Sequence, residues 1–64
     1  MKITYDPSAD AMYIRLKEGE RDDTVVHDSG LIFDVDAEGN VLGIEILAAS
    51  IHLDNPRQID FKVY

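Results

Sequence analysis

Residues 34–45, Asp34-Val35-Asp36-Ala37-Glu38-Gly39-Asn40-Val41-Leu42-Gly43-Ile44-Glu45, admit two folds that exclude each other. By spacing they fit an EF-hand calcium loop, with Asp34, Asp36 and Glu38 at the first, third and fifth places, Gly39 at the sixth and Glu45 at the twelfth. By periodicity they form a β-hairpin that turns at Glu38-Gly39-Asn40. The flanks discriminate between the two. An EF-hand loop is held between two helices. Here Ser29-Gly30-Leu31-Ile32-Phe33 is β-prone, and Ile44-Glu45-Ile46-Leu47 alternates instead of showing a helical stripe. Two paired strands would lock Asp34 and Glu45 into a ladder and keep them from wrapping an ion. The hairpin is therefore the favoured reading and no metal site is expected. Asp34, Asp36, Glu38 and Glu45 stand as the alternative, a divalent-cation (calcium) set.

The same two-residue period runs through most of the chain. Ile3 and Tyr5 alternate with Lys2, Thr4 and Asp6, and Met12, Ile14 and Leu16 with Tyr13, Arg15 and Lys17. Pro7 fixes φ between these two runs, and the Asp6 carboxylate suits a local backbone hydrogen bond. The polar stretch Glu18–Asp23 reads as a loop and Thr24–His27 as a short third strand. Leu31, Phe33 and Val35 then mark a fourth strand, and Leu42, Ile44 and Ile46 a fifth. Gly43, inside the fifth, marks a bulge or lets a large aromatic pack across it. Residues 48–54 break the period and predict a short helix, stopped by Asp54-Asn55-Pro56. Ile59, Phe61 and Val63 resume the alternation and predict a last strand. The expected fold is α+β, mainly β: one domain over residues 1–64, a small antiparallel sheet of five to six strands in a meander-like order, and one short helix.

Sixty-four residues bury a smaller fraction of their surface than a larger domain does, and such a domain is marginal alone. Cysteine is absent, which excludes disulfides and thiolate metal sites. Self-association is the remaining way to bury more area, so a homodimer is expected. The net charge of -7, with the six Lys and Arg scattered, argues against a phosphate-backbone binder and is compatible with a basic protein partner. Met1-Lys2-Ile3-Thr4 lacks the apolar core of a signal peptide, and no apolar run reaches membrane-spanning length. Neither a membrane nor a nucleic acid is expected as partner, and a cytoplasmic location is.

Residues able to carry chemistry are few. Asp6 and Asp10 bracket Pro7 and read as turn carboxylates more readily than as an acid/base couple. Neither histidine, His27 or His52, has a spacing that demands zinc or an acid/base role. No Gly-rich phosphate loop and no nucleophile elbow is present. No catalytic residue and no cofactor is expected. Tyr13, Ile32 and Val41 fall on the outer sheet face by alternation and are the candidate interface residues.

Two blocks carry a family resemblance. YDPSADAMYIRLKEG, followed by GLIFDVDAEGNVLGIEILAAS, closely resembles the small prokaryotic family catalogued as domain of unknown function 2283. The resemblance runs from about Tyr5 to Ser50 and leaves Leu53–Val63 outside. The family brings no assigned activity and hence no catalytic residue. It implies genomic neighbours that are small and toxin-like, and so a partner-binding or toxin-neutralising role.

Overall fold

The computed structural model describes all 64 residues as one open five-stranded antiparallel sheet and one short helix. The strands are β1 (Lys2–Asp6), β2 (Ala11–Arg15), β3 (Asp23–Val26), β4 (Ile32–Val35) and β5 (Val41–Leu47), and the helix α1 is Ala49–His52. No helix is long and apolar enough to cross a membrane.

The strand order is β1-β2-β5-β4-β3, which corrects the meander-like expectation. The longest strand, β5, takes the centre and separates β2 from β4. Its sequence explains the placement, since a central strand is covered on both edges and β5 holds three of the five buried residues, Leu42, Gly43 and Ile46. Residues 16–22 are polar enough to run outside the sheet, and they carry the chain from β2 to the far edge. On the way Gly19 lies directly over Leu42, which is 2% exposed.

The registers fix which residues share a face, because directly paired residues in antiparallel strands project to the same side. Ile3, Ile14, Ile44, Phe33 and Val25 pair in succession and form one apolar row across all five strands. Tyr5, Met12 and Ile46 form a second row on that inner face. The outer face carries Thr4, Tyr13, Glu45, Ile32 and Val26 in one row. Beside it runs a row of Lys2, Arg15, Gly43, Asp34 and Thr24.

The 34–45 segment is the β4–β5 hairpin. The Asp36 carbonyl accepts from the Gly39 N–H at 3.0 Å, and the Asp36 N–H donates to the Asn40 carbonyl at 3.0 Å. Gly39 holds φ at +84°, a left-handed conformation that glycine adopts without steric cost. Past the turn the register slips between Asp34 and Val35: Asp34 faces Gly43 and Val35 faces Val41, so Leu42 is the extra residue of a bulge.

The helix is shorter than the predicted 48–54. Ala48 is left-handed, at φ 51°, and Leu53 is extended, which leaves a single turn. Met12, Ile46 and Ala49 form the small buried cluster beneath it. The last predicted strand does not form, and residues 58–63 pair with no other strand. The turn at Asn55, where the side-chain oxygen accepts from the Arg57 N–H at 3.0 Å and the carbonyl from the Gln58 N–H at 3.1 Å, sends the chain over the sheet face. There Leu53 and Ile59 line a groove with Ile3, Met12 and Ile14.

Candidate interaction surface

Polar residues of the two signature blocks meet in two places. On the outer face the Tyr13 hydroxyl donates to Asp34 Oδ2 at 2.8 Å. Tyr13 stands on β2 and Asp34 on β4, so the phenol must cross the intervening β5. It does so over Gly43, where a Cβ would collide with the Tyr13 ring end, 2.5 Å from Cζ. Gly43 therefore both adjoins a bulge and lets an aromatic pass. Arg15 lies over the Tyr13 ring at 5.7 Å, and Arg21 approaches the other Asp34 oxygen at 4.0 Å. Accepting Tyr13's proton in a hydrogen bond, Asp34 raises the phenol's pKa above its ordinary value, and desolvation adds to the effect.

At one end of the inner face Asp10 ties three elements together. Its carboxylate accepts from the Ser50 hydroxyl at 2.6 Å, the Tyr5 hydroxyl at 2.7 Å and the Ser50 N–H at 3.0 Å, and its carbonyl accepts from the Ala49 N–H at 2.8 Å. No side chain of α1's own N-terminus caps it, and Asp10, reaching from the β1–β2 turn, does that work. Asp10 itself sits at φ +50°, a conformation short polar residues tolerate. The Ser50 hydroxyl, then the Tyr5 hydroxyl, hold the Asp10 carboxyl below its ordinary pKa, and the same bond to Asp10 raises Tyr5.

The turn carboxylates behave alike. Asp6 accepts from the Ser8 hydroxyl at 2.7 Å and the Ser8 N–H at 3.0 Å, which lower its pKa. Asp36 accepts from the Asn40 N–H at 2.8 Å, the Glu38 N–H at 3.0 Å and the Asn40 amide at 3.1 Å, and is lowered chiefly by the Asn40 N–H. Asp6 serves its own turn while Asp10 holds Tyr5 and Ser50, and the two share no hydrogen.

A strand running through both Asp34 and Asp36 would project them from one face. Instead β4 ends at Val35, and Asp36 folds back onto its own turn. Glu45 stands between Tyr13 and Ile32 in the sheet, and Glu38 is in the turn. No three acid or histidine side chains converge on a point that would hold an ion. His27 Nδ1 meets the Ser29 hydroxyl at 2.9 Å and also accepts the Ser29 N–H at 3.1 Å, an exposed local turn contact, while His52 ends α1 in solvent. Of the interface candidates, Tyr13 and Ile32 share the outer row and are half-buried within the chain. Val41 is exposed and, past the bulge, pairs with Val35, so it turns to the inner face and not to the outer one where alternation placed it.

The inner face is what alternation alone did not fully expose. Helix α1 and residues 53–59 cover its β1–β2 half. Over β3 and β4 the cover is thinner: Phe33 and Val35 are half-buried, and Val25 is 48% exposed. Val25 is the residue the sequence left unassigned, since a four-residue strand holding Val25 and Val26 side by side does not say which faces inward.

The profile of the family described as Protein of unknown function (DUF2283) matches residues 2–50 of the 64, and the chain belongs to that family. Neither a curated protein nor a solved structure matches it.

Proposed function

We propose that this family member is a non-catalytic protein-binding module that works through its apolar sheet face. One observation carries the reading. The polar residues that define the two signature blocks, Tyr5, Asp6, Asp10, Tyr13, Asp34, Asp36 and Ser50, are all engaged in hydrogen bonds that hold turns, strands and helix together. A signature spent on architecture preserves a surface, and the surface it preserves is apolar and half covered. An exposed apolar patch rimmed by polar residues marks a protein contact site.

The charge supports a finer reading. Thirteen acids against six bases favour a basic partner and speed its encounter. That matches a small basic toxin-like protein held neutral by this chain. The test is capture from the native organism's extract on the immobilised chain, with elution in rising salt. Retention of a basic protein that salt releases supports the reading. Failure to retain any protein, with the immobilised sheet shown intact by its circular dichroism before coupling, overturns it.

A further inference from the structure

We infer that the partner on the open half of the inner face is a second copy of this chain, stacked sheet to sheet about a two-fold axis and sealed by the C-terminal residues 59–64. The inference rests on the binding-module reading and assigns the apolar face to a second copy, which leaves the chain's scattered acids to meet any basic partner. The first argument is area. A compact monomer of this mass exposes ~4,100 Å², whereas this chain, at 7.2 kDa, exposes 4949 Å². The excess, about 800 Å², is what each partner contributes to an interface of standard size. The radius of gyration agrees: 12.5 Å is observed, and a compact domain of this length has ~10.7 Å.

The second argument is self-complementarity. The row Ile3, Ile14, Ile44, Phe33 and Val25 carries no charge, and a two-fold contact must bring a patch against its own image. Like charges on that patch would forbid it. Here Arg15, Asp34 and Glu45 stand on the opposite face, and the one strand charge on this side, Asp23 opposite Val35, sits at the exposed start of the edge strand, so a chain of net charge -7 can still stack on itself. Inner faces of two sheets pack about 10 Å apart with interdigitating side chains.

The third argument is the tail. Phe61 and Val63 are 76% and 85% exposed in an alternating segment that has no partner in its own chain. Ile59 already sits against the β1–β2 half of the face. From there five extended residues reach ~17 Å, and three neighbouring strands span ~14 Å. The tail is long enough to cross the β3–β4 half of the facing copy and cover Phe33 and Val25.

The experiment compares the sedimentation mass of the full chain with those of Val25→Asp, Phe61→Asp and Val26→Asp. Val25 and Val26 are neighbours on β3 that face opposite sides, and all three positions are exposed in the single chain. The wild type and Val26→Asp are expected to be dimers. Val25→Asp and Phe61→Asp are expected to weaken the dimer at least ~30-fold, as loss of an interface anchor does. Should a variant unfold, the wild type still reports: its melting temperature must climb with protein concentration. A monomeric wild type, or a dimer broken at Val26 and untouched at Val25, overturns the assignment. A monomer that still retains another protein removes only the second copy as occupant, and a monomer that retains nothing removes the binding module as well.

Discussion

The Tyr13 hydroxyl reaches Asp34, 21 residues away and two strands over, by lying across Gly43. Three strands are thereby fastened by one hydrogen bond that needs a residue without a side chain in the middle. Tyr13→Phe should cost about 1 kcal/mol, the ordinary worth of such a bond. Gly43→Ala should cost about 1–3 kcal/mol by displacing the ring. The two should not be independent: in a Tyr13→Ala background the added methyl no longer meets the ring, only the Ile14 carbonyl at 3.2 Å, and costs less. Urea unfolding of the four proteins measures the coupling, and additive costs would mean that the ring does not cross at Gly43.

Asp10 caps α1 from a distant turn, and a four-residue helix has almost no stability of its own. Asp10→Ala should release the helix from the sheet while leaving β2–β5 pairing intact. Hydrogen exchange reads this directly. The Ser50 and Ala49 amides should lose protection first, Ile44 and Ile46 should keep it, and Asp10→Asn should restore part of the loss.

Stability should hold a plateau bounded on both sides by groups identified above. Asp6, Asp10 and Asp36 have folded pKa values below their ordinary ones. Their stabilisation is complete above the unfolded value, ~3.9, and is lost as pH falls through the lowered folded values. Tyr5 and Tyr13 are raised. Their contribution is complete below the unfolded value, ~10, and is lost as pH climbs through the raised ones. Urea midpoints across pH should therefore fall at both ends, and the acid limb should become shallower in Asp36→Asn.

Calcium should leave the melting temperature unchanged. A ligand that binds the folded chain must stabilise it, yet both Asp36 oxygens already accept from the turn and Asp34 accepts from Tyr13. A calcium-dependent rise that disappears in Asp34→Ala would contradict the hairpin assignment of these carboxylates.

What the sequence revealed follows from the range of the forces involved. The two-residue period located all five strands, because burial of one face acts on each strand locally. The dodecamer resolved as a hairpin because its flanks alternate. Strand order was not legible. Nothing local says that β5 will slip between β2 and β4, and the meander expectation followed chain order alone. The Asp10–Ser50 and Tyr13–Asp34 bonds join residues 40 and 21 apart and leave no periodic trace. Residues 58–63 show the converse. Their alternation predicts a strand, but a strand needs a free edge beside it, and the turn at Asn55 directs the chain across the face. Their apolar residues keep the strand-like pattern because, on this account, they cover a second copy.

The most direct test is equilibrium sedimentation of the unmodified 64-residue chain from micromolar to submillimolar concentration at neutral pH. The account predicts a mass twice that of one chain, falling to the single-chain value only on dilution. A single-chain mass throughout, in a protein that still unfolds cooperatively, would show that the open apolar face needs no second copy and would contradict it.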